Sequence, residues 1–249
     1  MARYFIEVAY NGKAYAGFQK QQNANTIQAE VEKAMYIYFR TTFDLTGSSR
    51  TDAGVHAKQN FFHFDTDINE GAIANAAYHI NAILPSDIVV KTIRMVKEDA
   101  HCRFDATFRR YKYKVYSSKD PFLQDAAFFF PYKLNKDILE KCSQELMLHS
   151  NFQSFSKRNS QVFTYHCNIQ HSQWQFSDHT LIYTVQANRF LRGMVKGLVA
   201  TMLKMATTNK SIENFRQIIE SHDCAKADFS APSHGLTLLE VGFPTISNS

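Results

Sequence analysis

The segment Ser49-Arg50-Thr51-Asp52-Ala53-Gly54-Val55-His56-Ala57 places one carboxylate inside turn-forming sequence. A carboxylate in a turn has two uses. It caps backbone amides, or, left ionised and open, it attacks an electrophilic carbon or takes a proton. Arg50 adds a guanidinium able to contact phosphates or stack on bases. Basic residues gather elsewhere too: Arg103, Arg109, Arg110, Lys112 and Lys114 fall close together, and Arg189, Arg192, Lys196 and Lys204 recur along a later segment. Clusters of this kind suit a phosphate backbone. The histidines, His56 and His101 among them, show no His-Glu-x-x-His or paired Cys/His spacing, so no metal is expected. No glycine-rich nucleotide loop occurs, and no small-molecule cofactor is expected.

These groups need a body to hold them. The chain has 249 residues, 45% apolar and 20% charged, a composition that folds and buries a core. Its formal charge of +5 is too mild to identify a partner. The opening Met1 to Val8 alternates and carries an acid, unlike a secretory leader, and no apolar run reaches membrane-spanning length. Cys102, Cys142, Cys167 and Cys224 are far apart and read as reduced thiols in a cytoplasmic protein.

Alternation predicts a strand over Tyr4 to Tyr10, with Asn11-Gly12 as turn chemistry after it. Thr26 is a helix cap, and Ile27, Val31, Ala34, Met35 and Tyr38 carry the helix to about Phe39. Phe43 to Thr46 and Phe61 to Phe64 read as strands flanking the Asp52 loop. An Ala-rich stretch, Ile73 to Leu84, ends at Pro85, and Ile88 to Val96 is another strand. The second half offers a strand over Phe108 to Tyr116, a helix over Leu134 to Leu148, and strands within Val162 to Trp174 and Leu181 to Asn188. Helices over Phe190 to Met205 and Ile212 to Ser221 follow, then a strand over Leu236 to Phe243 and a frayed tail, Thr245 to Ser249. The prediction is an α+β protein of two similar subdomains, 1–105 and 106–249, with mixed or antiparallel sheets packed by helices.

The full string Gly47 to Ala57 closely resembles the signature of the tRNA pseudouridine synthase A family, Gly-Arg-Thr-Asp-Ala/Thr-Gly-Val-His-Ala, with Ser49 in place of the usual glycine. Family-like segments recur in order along nearly the whole chain. They are Tyr10-Asn11-Gly12, Gly17 to Gln21, Asn81 to Asp87, Ala100 to Ala106, Arg109 to Tyr113, Phe190 to Lys196, and Ala231-Pro232 with Gly235-Leu236. The resemblance implies the pseudouridine synthase fold with an active-site cleft between the subdomains. It implies Asp52 as the catalytic carboxylate, Tyr111 as the active-site tyrosine and Lys196, where the family usually has arginine, as the basic partner of the aspartate. Arg50 is similar to the family arginine linked to base flipping, and Leu236 is an implied substrate contact. His101, Arg103, Arg109, Arg110, Arg189 and Arg192, with Arg50, are candidates for RNA contacts, as are Lys112, Lys157 and Arg158.

The implied reaction is isomerisation of uridine to pseudouridine in the anticodon stem-loop of tRNA, at positions 38 to 40, by a homodimer. It breaks the C1′–N1 bond, turns the uracil and rejoins it through C5 with loss of the C5 proton, which needs no redox partner. The uridine must first be extruded, at a few kcal/mol of lost stacking. Two other classes compete. One is a non-catalytic RNA-binding or RNA-folding paralogue on the same scaffold. The other is a nucleosidase using Asp52, although glycosidic chemistry usually pairs a second acid with the first.

Overall fold

A computed structural model describes residues 1–158 and 162–244. In chain order its elements are β1 (Ala2–Tyr10), α1 (Ile27–Phe39), β2 (Thr46–Gly47), β3 (His56–Thr66), α2 (Glu70–Ala74), α3 (Ala76–Ile83), β4 (Ile88–Val96), β5 (Phe108–Tyr116), β6 (Phe128–Phe129), α4 (Lys136–Glu145), β7 (Ile169–Phe176), β8 (Thr180–Ala187), α5 (Met194–Thr207), α6 (Ile212–Glu220) and β9 (Leu236–Gly242). The expected fraying of Thr245 to Ser249 lies outside the described residues. The chain divides into two compact units, Met1–Thr107 with the segment from Thr237 onward, and Phe108–Leu236. Each is α+β. The sequence placed the division at 105/106 and kept the last strand with the second half, whereas that strand is grouped with the first unit.

In the first unit β1 is central, antiparallel to both β3 and β4. β9 runs parallel to β3, pairing Thr237 with His56 and Leu238 with Ala57. One face of this sheet carries Tyr4, Ile6 and Val8 against α1, whose Val31 and Met35 are fully buried. Apolar groups spaced three and four residues apart form the stripe that a helix buries on a sheet. Thr26 caps α1, its side chain accepting the Ala29 amide at 3.3 Å. On the same side Phe18 stacks on Phe62, with centroids 4.4 Å apart and planes within 10°. A buried phenylalanine contributes roughly 1.5–3 kcal/mol through the water it sheds, so this pair is an anchor for the loop that carries Phe18.

Two expectations here change. Phe43 to Thr46 is not a strand; only Thr46–Gly47 pairs with β3. The ring of Phe43 packs edge-on against Phe39 and Phe64 instead, so its hydrophobicity serves the core. The Ala-rich stretch divides at Asn75 into α2 and α3, and α2 begins at Glu70, where the Asn69 side chain accepts the Gly71 amide.

In the second unit β8 pairs antiparallel with β5 and with β7, and β6 adds to β5 in parallel. α5 is buried along nearly its whole length. The expected helix start at Phe190 moves to Met194. The Arg192 carbonyl is taken by the Lys157 amide, and the first helical bond runs from Gly197 to Gly193. Trp174 and Tyr183 stack across β7 and β8 at 5.0 Å, and the Tyr183 hydroxyl pairs with Ser172 at 2.8 Å. Among the described residues no helix is long and apolar enough to cross a membrane.

The end of α4 is tied to α6 by ionic bonds. The buried Glu145 carboxylate receives Arg216 through two N–H groups at 2.8 and 3.1 Å and meets His149 at 3.0 Å. The Arg216 guanidinium is the main cause that lowers the Glu145 pKa, with His149 adding to it and burial opposing. A depressed folded-state pKa means stability that is present above the ordinary carboxylate pKa and lost as pH falls through the folded value. Glu145→Gln should therefore lower the thermal midpoint at neutral pH by a few degrees and flatten its fall between neutral and acid pH, as measured by circular dichroism melts.

Candidate active site

Asp52 sits at the open tip of a loop that is clamped on both sides. Arg50 and Ala53 are exposed and Asp52 is half-buried, while Ser48, Ser49, Thr51, Val55 and His56 are buried. Buried backbone and hydroxyl groups need partners. Asn60, a fully buried residue of β3, supplies most of them. Its carboxamide oxygen accepts the Ser48 hydroxyl at 2.7 Å and the Phe61 amide at 3.0 Å. Its nitrogen donates to the Ser49 carbonyl at 2.9 Å and to the Tyr10 hydroxyl at 3.2 Å. The Tyr10 hydroxyl, which accepts from Asn60, also pairs with the Thr51 hydroxyl, 2.8 Å away.

The other side of the loop is held by the segment after β1. The Phe18 amide donates to the Thr51 carbonyl, and the Gly54 amide donates to the Tyr15 carbonyl. A tight turn returns from the Asp52 carbonyl to the Val55 amide, with Gly54 at a φ of +78°, a region that side chains disfavour. His56 Nδ1 accepts the Gly12 amide at 3.1 Å, so it braces the turn. The Tyr15 hydroxyl donates to Asp87 at 2.6 Å, and burial together with that carboxylate pushes the Tyr15 phenol well above its usual pKa. Asn81 and Asp87, which sequence marked only by resemblance, thus have structural duties: Asn81 makes two bonds with the Val90 backbone. Ser49, the residue that stands for a glycine, is not among the positive-φ residues, and only its carbonyl is gripped by Asn60, so a side chain is accommodated there.

Beside this loop opens a groove of about 290 Å³ whose lining includes Arg50, His101, Arg103, Phe104 and Gln19. Three residues picked from sequence as RNA contacts therefore meet in one place. The stretch 101–105 is a self-capped turn. His101 donates its amide to Asp105, while His101 Nδ1 accepts the amides of Arg103 and, more weakly, Phe104. An Nδ1 that accepts belongs to a neutral imidazole, and burial lowers the His101 pKa in agreement. The neighbouring His63, packed against His101 and buried, is lowered to about 4. The turn leaves Phe104 exposed, with the Arg103 guanidinium 5.7 Å from its ring centroid. Sequence reasoning did not select Phe104; an exposed aromatic beside a basic residue, here Arg103, is the signal that could have found it, since bases stack on such faces.

The remaining candidates lie on the second unit. Tyr111, on β5 opposite Val185, is buried and meets Phe190 edge-on at 5.2 Å. Side chains alternate across a strand, so Arg109 shares the face of Tyr111, and Arg110 and Lys112 take the other. Arg109 donates to the Asn188 carbonyl and Arg110 to Gln186. Arg192 is exposed just before α5, and the Arg189 amide donates to Asn188 Oδ1. Lys196, buried in the first turn of α5, donates to the Ser233 hydroxyl at 3.1 Å. Leu236 is buried at the start of β9.

An aspartate on a clamped loop of one unit, with a tyrosine and a lysine on the other, is a set of groups that an RNA-modifying enzyme could use. Comparison with known proteins sharpens this. The sequence model of the family described as tRNA pseudouridine synthase matches residues 6–105 and 144–244. Proteins named tRNA pseudouridine synthase A are similar along almost their whole length. That of Parabacteroides distasonis is 41% identical over 244 residues, covering 98% of this chain and 97% of its own. That of Bacteroides thetaiotaomicron is 39% identical, covering 98% and 91%, and that of Staphylococcus aureus strain MRSA252 is 34% identical, covering 96% and 91%. The chain belongs to the tRNA pseudouridine synthase family.

Asn60→Ala would remove the bonds that its carboxamide makes with the Ser49 carbonyl and with the Ser48 and Tyr10 hydroxyls in the interior, at a cost on the order of 2–3 kcal/mol. Urea unfolding should show that loss with an unchanged slope, and partial proteolysis should cut first between Ser48 and Val55.

Proposed function

We propose that this protein isomerises uridine to pseudouridine in the anticodon stem-loop of tRNA, at positions 38 to 40, and works as a homodimer in the cytoplasm. Asp52 is the catalytic carboxylate. It attacks as a nucleophile, so that one difficult exchange at C1′ becomes two easier ones. The C1′–N1 bond breaks with its electron pair passing to the uracil. C5 then bonds to C1′ as the Asp52–C1′ bond breaks and the carboxylate is released, C5 gives up its proton, and N1 ends protonated. Tyr111 stacks on the uracil and its hydroxyl takes part in the C5 proton transfer. Leu236 packs against the base, and Lys196 supplies the cation that favours an ionised carboxylate.

Arg50 offsets the gap left when the target nucleotide is extruded, a step that needs a guanidinium able to stack or grip phosphate. His101, Arg103, Arg109, Arg189 and Arg192 hold the RNA backbone; Arg110, on the opposite face of β5, serves a different stretch of it. The observation that carries this reading is the Asp52 loop, whose buried neighbours Ser49 and Thr51 are anchored by Asn60, Tyr10 and Phe18 while Asp52 is half-buried and Arg50 is exposed.

Release of tritium from C5-labelled uridine in tRNA should be rapid with the wild-type chain. With Asp52→Ala it should fall by about three orders of magnitude or more, with tRNA affinity little changed. Salt-sensitive tRNA binding without any tritium release from the wild type would establish the non-catalytic alternative. Arg103→Ala should weaken tRNA binding and reduce the slope of log affinity against log salt by about 1, the signature of one lost phosphate contact, in filter-binding titrations.

A further inference from the structure

Lys196 lies where a helix least favours a cation. It is in the first turn of α5, whose unpaired N–H groups make that end positive, and only 8% of it is exposed. Its ammonium is a compact charge on a flexible stem, without the planar fork by which an arginine fixes its own geometry. Something on the protein must hold it in place. The Ser233 hydroxyl accepts from Nζ at 3.1 Å.

Ser233 is itself held on a rigid support. It opens a 3-10 turn, Ser233–Gly235, closed by the Leu236 amide donating to the Ser233 carbonyl. Immediately before it, the Pro232 carbonyl accepts the Tyr113 hydroxyl at 2.7 Å. Tyr113 is fully buried on β5, and its ring lies so close to Gly235 that an added Cβ would sit 2.6 Å from ring Cζ. No other residue fits that approach. The turn is therefore pinned at Pro232 and at Gly235, and the hydroxyl between them has a fixed position.

We propose that Ser233 is a positioning residue for Lys196. Held by the Tyr113–Pro232 bond and the Gly235 contact, its hydroxyl aims the lysine ammonium and replaces the orientation that an arginine fork would provide. This rests on the role of Lys196 given above. Tyr113, two residues beyond Tyr111 on the same face of β5, serves the site through this turn rather than by touching substrate.

Single-turnover rates and tRNA affinities of five variants test it: Ser233→Ala, Ser233→Thr, Lys196→Ala, Lys196→Arg, and Lys196→Arg combined with Ser233→Ala. Ser233→Ala should lower the rate about tenfold, the scale of one hydrogen bond to a charged group, with affinity within about twofold of wild type. Ser233→Thr, which keeps the hydroxyl, should recover most of the rate. In a Lys196→Arg background Ser233→Ala should change the rate less than about twofold, since the guanidinium orients itself. The proposal is overturned if Ser233→Ala is as fast as wild type while Lys196→Ala is inactive, if its loss appears in tRNA affinity, or if threonine gives no rescue. It is also overturned if alanine slows both backgrounds equally. Full activity in Lys196→Ala would instead remove the role assigned to the lysine, a different failure that the same rates expose.

Discussion

Asn60 carries a primary amide into the interior of the first unit, where both of its atoms are fully used: two bonds accepted at the oxygen, two donated from the nitrogen. The groups it satisfies are the backbone of Ser49 and Phe61, the hydroxyl of Ser48 and, through Tyr10, the hydroxyl of Thr51. A loop that must present a carboxylate to solvent has to run through the sheet's apolar surroundings to reach it. Every buried N–H and C=O on that path needs a partner. One carboxamide, with donors and acceptors on a single rigid plane, does this with little side-chain freedom to lose. Between these clamped positions Arg50 is exposed and Asp52 half-buried.

The same principle operates around Lys196 with different groups. There the restraint passes through a tyrosine hydroxyl, a proline carbonyl and a serine hydroxyl. A fully buried phenol is driven far from ionisation by desolvation, so Tyr113 is a permanent donor. Neutral hydrogen bonds suit this task. A charged partner on the same turn would compete for the ammonium, while a hydroxyl orients it and leaves its charge available.

The groove beside the Asp52 loop brings two kinds of group suited to RNA together from the loop and from the 101–105 turn. Arg103 and Arg50 supply charge, whose contribution falls with salt, and Phe104 supplies a π-face that any base can stack on. The turn is self-sufficient: His101 and Asp105 cap each other's segment, and the imidazole stays neutral to do so. Neutral His101 braces this turn through Nδ1, so the RNA contact proposed for it is a hydrogen bond rather than an ionic one.

Much of this was legible in the chain itself. Local patterns set the strand over Ile88–Val96, the strand over Phe108–Tyr116 and the Thr26-capped helix, because alternation, β-branching and capping are properties of neighbours in sequence. The string around Asp52 and its companions marked the candidate residues and the family. What sequence could not supply was decided by contacts between distant positions. Phe43 reads as strand but packs as core, Phe190 reads as helix but precedes it, and the last strand joins the first unit through pairing with His56 and Ala57. Asn60 and Ser233 carry no local signal, and Tyr113 is marked only as the end of the family-like segment Arg109 to Tyr113. Their importance lies in which buried group each one faces, and only the folded chain brings those groups within hydrogen-bonding distance.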